Sequence, residues 1–274
     1  MSPISFGLDL PAGLTPEGPV ALARTAEDLG FDFVSASDHP AGTDPSYETW
    51  TMLAFVAAGT GRIGIATRVL GVPYRPPAMV AKMAETLDRL SGGRLILGLG
   101  GGASDSEFRQ FGLRVPAPAE KVAGLREAVE VIRGLWSRPS FSFEGTLYRT
   151  EDADLEPKPA RHIPIWFGTF GPRALELTGR IADGWIPSLG YAPAERLPLM
   201  RRAVLDAAER AGRDPSTITT ALNVDLDDVA GNMLPDLIGQ GFTTLNFKVA
   251  AGPDRADRIE HLAKEVLPPL RAVG

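Results

Sequence analysis

The chain has 274 residues, 44% apolar and 23% charged, which is enough for a sizeable core and excludes a disordered chain. Lys and Arg number 28 against 34 Asp and Glu, and the resulting charge of −6 argues against nucleic acid or a membrane surface as partner. Cysteine is absent and the three histidines, His39, His162 and His261, lie far apart, so disulfides, thiolate chemistry and a metal centre are not expected. The N-terminal residues lack the basic and apolar segments of a signal peptide, and no run of about 18 apolar residues follows. A cytoplasmic protein is expected.

Residues 3–10 read as a buried strand, and Thr15-Pro16-Glu17 as the start of a helix that Gly30 stops. Strands follow at 31–37, 62–70 and 94–100, with helices at 47–60, 77–90 and 118–136. In the last of these, Val122, Leu125, Val129, Ile132 and Leu135 recur at spacings of three and four. Residues 137–162 break the rhythm with a small hairpin around Glu144-Gly145 and a Pro-rich connector, either packed on the body or acting as a lid. Strands at 163–168, 184–188, 218–224 and 242–249 then alternate with helices at 172–181, 193–212, 229–239 and 253–272. Eight βα units point to a closed (β/α)8 barrel with an insertion before the fifth strand, taken as one domain over 1–274. An open doubly wound sheet is the rival arrangement.

In such a barrel the residues just after each strand build the active site. His39, within Ser37-Asp38-His39-Pro40, follows the second strand and suits proton transfer. Asp38 would either orient it or cap the next turn. His162 precedes the fifth strand, at the opposite face, and His261 lies in the last helix. The fourth strand runs into Gly98-Leu99-Gly100-Gly101-Gly102-Ala103, a weak match to a dinucleotide fingerprint in the wrong place. Its glycines, Gly100 and Gly101 among them, read as letting backbone approach a flat ligand. Gly168-Thr169-Phe170-Gly171, with Pro172 opening a helix, suits an anion such as phosphate. Arg68 is unusual inside a strand, so it either projects into the barrel mouth or marks irregular backbone. Tyr47, Phe108, Tyr191 and Lys248 are candidate mouth residues.

The segments 21–39, 67–102 and 164–187 together resemble the luciferase-like monooxygenase superfamily; LDRLSGGRLILGLG and PRALELTGRIADGW are the specific stretches, and the resemblance covers roughly 1–190. It implies a (β/α)8 barrel binding a flavin or a deazaflavin. Asp38-His39 matches the branch that uses the deazaflavin coenzyme F420. That branch implies hydride transfer to or from a small organic substrate, with His39 as acid or base and Asp38 holding its tautomer. It also implies a non-proline cis peptide at Arg68–Val69 behind the ring, and phosphate at Gly168-Thr169-Phe170-Gly171. Sugar-phosphate dehydrogenases of this branch carry a Glu where Ala103 stands here, which disfavours glucose 6-phosphate; Glu107 would then serve as the acid or simply begin a helix. The alternatives are an FMN-dependent monooxygenase served by a flavin reductase, and a flavin-binding protein without catalysis. A homodimer is expected by the same resemblance.

Overall fold

The computed structural model describes residues 3–273. Its strands are β1 (Ser5–Asp9), β2 (Phe33–Ala36), β3 (Gly64–Thr67), β4 (Leu70–Gly71), β5 (Leu95–Gly100), β6 (Phe141–Glu144), β7 (Arg149–Ala153), β8 (Ile165–Phe167), β9 (Gly184–Trp185), β10 (Thr219–Asp225) and β11 (Thr244–Lys248). All but the β6–β7 hairpin belong to a nine-stranded parallel sheet. It closes because β1 pairs with both β2 and β11, and β3 with both β2 and β5. β3 and β4 are two halves of one broken stave, so the architecture is the (β/α)8 barrel expected from the alternation.

The helices are α1 (Gly18–Asp28), α2 (Thr49–Gly59), α3 (Pro77–Leu90), α4 (Asp105–Gln110), α5 (Pro118–Ser137), α6 (Pro172–Ile181), α7 (Leu197–Arg210), α8 (Met233–Gly239), α9 (Arg255–His261) and α10 (Leu267–Val273). Most of the core lies between this helical layer and the barrel. A second cluster, Phe33, Ala66, Trp166, Ile186 and Ala221, plugs the barrel itself. Its two large rings meet edge to face, 5.9 Å between centroids. They fit because their neighbours are glycines. A Cβ on Gly7 would lie 2.3 Å from the Phe33 ring, and one on Gly184 2.4 Å from Trp166.

Several element bounds differ from the sequence reading, and three differences have a plain physical reason. α1 starts at Gly18, because the Thr15 hydroxyl takes the Gly18 amide (3.2 Å) from ahead of the first turn. The final helix is interrupted by a π-helical stretch at Leu262–Val266, just before Pro268 and Pro269, which have no amide to give a regular ladder. α4 lies in what reads as a loop, too short for a periodic apolar signal.

The hairpin is fastened to α5 and contributes nothing to the cavity described below. Phe141 fills the space above Gly134, where a Cβ would come within 2.2 Å of its ring. The buried Glu127 carboxylate accepts the amides of Thr146 (3.0 Å), Leu147 (2.9 Å) and Tyr148 (3.1 Å). Burial pulls the Glu127 pKa upward, but these three amides outweigh it and the net shift is downward. A depressed carboxylate adds stability that is present above its unfolded pKa and lost as pH falls through the folded one. Glu127→Gln is therefore expected to cost about 1–3 kcal/mol near neutral pH and to flatten the loss of stability below about pH 4.5. Urea titrations of both proteins at pH 7 and pH 4 test this; parallel pH dependence would show that Glu127 carries no such linkage.

Candidate active site

A cavity of about 650 Å³ opens at the C-terminal ends of the barrel strands, a size typical of small-molecule and cofactor sites. His39, Arg68, Val69, Gly100, Gly168 and Lys248 are among its walls.

The broken third stave forms its floor. The Arg68–Val69 peptide is cis, as the family resemblance implies. The surrounding glycines make room for this bulge. A Cβ on Gly98 would lie 1.9 Å from the Thr67 carbonyl oxygen, one on Gly100 2.7 Å from the Val69 side chain, and one on Gly168 3.1 Å from it. The glycine run allows close packing of protein against protein, and Gly100 and Gly101 also line the cavity. The Thr67 hydroxyl bonds both the Gly98 amide and its carbonyl at 2.8 Å, tying the strands where the ladder breaks.

Arg68 projects to the mouth and is held by Asp9 in a two-point ion pair, both contacts 2.8 Å. From Asp9 a polar chain crosses the barrel: Ser35 (2.8 Å), Asn246 (3.1 Å), Asn223 (2.9 Å) and Ser188 (3.0 Å). The Ser35 hydroxyl lies between Asp9 Oδ1 and Asn246 Oδ1, Asn246 Nδ2 donates to Asn223 Oδ1, and Asn223 Nδ2 donates to the Ser188 hydroxyl. Lys248 is paired with Asp225 at 2.7 Å. That hydrogen bond pushes the Lys248 pKa upward; Asp225 is pulled up by burial but ends below its usual range because of Lys248.

His39 lines the cavity and is half exposed. Its Nδ1 lies 2.8 Å from the buried Glu107 carboxylate. Glu107 also accepts the Tyr74 hydroxyl, at 2.5 Å. Asp38, expected to hold the imidazole tautomer, makes other bonds: the Gly71 amide (2.9 Å) and Arg75 (2.7 and 3.1 Å). Arg75 also pairs with Glu48. Burial works against the charge of Arg75, yet Asp38 and Glu48 raise its pKa overall. Asp38 thus locks the loop after β2 to the turn after β4, and the carboxylate on the histidine comes from α4.

At the fifth barrel stave, Gly168 and Phe170 line the cavity. Thr169 points away: its hydroxyl is 2.7 Å from that of Thr178, and its carbonyl accepts the Trp185 indole at 2.9 Å. Gly171 caps α6, whose first-turn amides have no acceptor within the helix. Of the candidate mouth residues, Tyr191 and Lys248 line the cavity. Phe108 is fully buried, under Gly102, and Tyr47 stands outside the lining. His162 pairs with Asp183 at 3.1 Å, at the other end of the barrel. Tyr74 escaped the sequence reading; Gly71 three residues earlier is its one local signal, since a Cβ there would strike its ring at 2.5 Å.

The third stave of the barrel thus breaks in a bulge beneath a mouth that carries a histidine. The model of the luciferase-like monooxygenase family matches residues 1–226, and the chain belongs to that family. It is 37% identical over 230 residues to an F420-dependent glucose-6-phosphate dehydrogenase of Nakamurella multipartita, covering 81% of this chain and 67% of that one. The relatives run longer, and the chain spans 60% to 67% of the first three. Among solved structures it is similar to the F420-dependent tetrahydromethanopterin reductase of Methanopyrus kandleri (TM-score 0.83, 22% identity, 98% of this chain and 99% of that one). It is also similar to an F420-dependent secondary alcohol dehydrogenase in complex with an F420–acetone adduct (TM-score 0.85, 19% identity, 97% and 98% covered). At these identities the two structures speak for the fold.

Proposed function

We propose that the protein is an F420-dependent oxidoreductase acting on a small uncharged alcohol or carbonyl, or on an imine or activated alkene. The observation that carries the reading is a histidine at the mouth of the cavity with Nδ1 held by a buried carboxylate. Glu107 accepts the Nδ1 proton, which leaves Nε2 free to take or give a proton. The relatives' names supply the cofactor. The cavity suits it: the Val69 bulge, with Gly100 and Gly168 close against it, would back a flat ring, and the amides opening α6 would hold a phosphate. The deazaflavin, when bound, supplies hydride transfer. This chain's part is to orient the substrate, exclude water and move one proton at His39 Nε2.

The substrate class follows from charge. The cavity lining contains Arg68 and Lys248 as its cations, and each already faces a carboxylate, Asp9 and Asp225. Asp38 and Asp228 add negative charge. A substrate phosphate would find no unpaired lining cation among the described residues. The polar row Ser188, Asn223 and Asn246 instead suits neutral hydroxyl or carbonyl groups. A turnover assay following loss of the oxidised deazaflavin's visible absorbance tests this. An unphosphorylated secondary alcohol is expected to exceed glucose 6-phosphate in kcat/KM by about a hundredfold or more. Efficient oxidation of glucose 6-phosphate would overturn the substrate assignment.

A further inference from the structure

We propose that Tyr74 is a positioning residue for His39, acting through Glu107 to hold the imidazole in its Nδ1–H form and to set where it titrates. The inference rests on His39 being the proton-transfer group.

Glu107 uses its two oxygens on two donors, Oε1 on His39 Nδ1 and Oε2 on the Tyr74 hydroxyl. It is buried and is not part of the cavity lining, so it works on the histidine and not on a ligand. Tyr74 itself is clamped. Its ring lies over Gly71, where no Cβ fits, and packs on Phe108 with centroids 4.9 Å apart. Phe108 in turn fills the space against Gly102 and carries Lys121 over its ring, 5.5 Å from the centroid. Two glycines, Gly71 in β4 and Gly102 beyond β5, therefore admit an aromatic pair that fixes the residue next to Glu107. Burial, then the hydrogen bond to Glu107, pushes the Tyr74 pKa upward, so the phenol stays a donor over the working pH range.

The other charges near the ring are paired elsewhere. Asp38 goes to Arg75, Arg75 also to Glu48, Asp105 to Lys121, Asp9 to Arg68 and Asp225 to Lys248, with Asp228 further along the cavity wall. Glu107 is thus the carboxylate that His39 senses directly, and Tyr74 tempers it. A donated O–H bond draws charge from the carboxylate and weakens its hold on an imidazolium. Removing the hydroxyl leaves the full carboxylate charge facing the imidazole, and removing the charge of Glu107 takes that attraction away.

Ring-nitrogen NMR of the ligand-free protein reads this without cofactor or substrate. His162 and His261 serve as internal references, and His39→Gln assigns the third signal. The expected wild-type signal is the Nδ1–H tautomer. Tyr74→Phe, which keeps the ring packed on Phe108, should shift the His39 ring-nitrogen titration upward relative to wild type. Glu107→Gln should shift it downward. A Tyr74→Phe protein that titrates as wild type, or shifts downward, overturns the proposal and leaves Tyr74 as packing alone. Failure of the functional reading would show separately, as unchanged turnover in a His39 variant whatever the NMR reports.

Discussion

His39→Ala is expected to reduce turnover by about 10²–10⁴-fold, the usual worth of a positioned acid or base, while F420 affinity changes by less than about threefold. The two effects separate because they rest on different groups. On the proposed reading Val69 with Gly100 and Gly168 would back the ring and the start of α6 would hold the anion, whereas His39 would serve the proton transfer. Glu107→Gln should fall between, at about 10–100-fold, since the imidazole remains but the carboxylate that orients it through Nδ1 is gone. The measurement is a pair of curves for each variant: cofactor binding by fluorescence and turnover at saturating cofactor. A His39→Ala enzyme with wild-type kcat would remove His39 from the chemistry.

Gly98→Ala should be among the most damaging single methyl groups in the barrel. Its Cβ would sit 1.9 Å from the Thr67 carbonyl oxygen and 3.0 Å from Val69 Cγ1. Neither is a flexible side-chain end: one is backbone of the neighbouring stave and the other belongs to the bulge. The strands must part or the bulge must move. Overpacking that a core side chain can absorb costs about 1–3 kcal/mol; a clash with backbone should exceed that range. The Thr67 hydroxyl bonds to Gly98 would be lost as well. At about 2–4 °C per kcal/mol for a chain of this size, Tm should drop by more than about 6 °C, and cofactor binding should weaken with it. Gly42→Ala, where nothing lies within 4 Å of the added carbon, is the matched control and should leave Tm within about 1 °C. Equal melting of the two variants would show that the bulge has slack which the packing does not suggest.

The barrel is legible in the sequence because its signal is repeated: strand-like runs, each followed by a helical stretch, around the whole chain. Arg68 is a good example of a local anomaly with a structural meaning. A charged residue in a strand pattern flags the one stave that breaks, between Thr67 and Leu70. The position of His39 is also readable, since it depends only on which end of β2 it follows. What holds His39 is not. Glu107 lies 68 residues away and Tyr74 is 33 residues from Glu107. Such contacts are set by how two loops fold over the barrel mouth, and no periodicity encodes that. The adjacency of Asp38 and His39 suggests a pair, but successive residues leaving a strand point to different sides, and Asp38 turns to Arg75. The glycine runs are only partly legible. They report a need for close approach, but not whether the approaching atoms belong to a ligand, to Val69 or to Phe108.

On the proposed function, the cavity over the Arg68–Val69 bulge takes the deazaflavin. The most direct test is to titrate the ligand-free protein with F420 and, separately, with FMN, following the fluorescence of each. Low-micromolar binding of F420 with FMN at least about tenfold weaker is the expected result. Tight binding of FMN with none of F420 would contradict it and turn the search toward oxygen-dependent chemistry with a partner reductase.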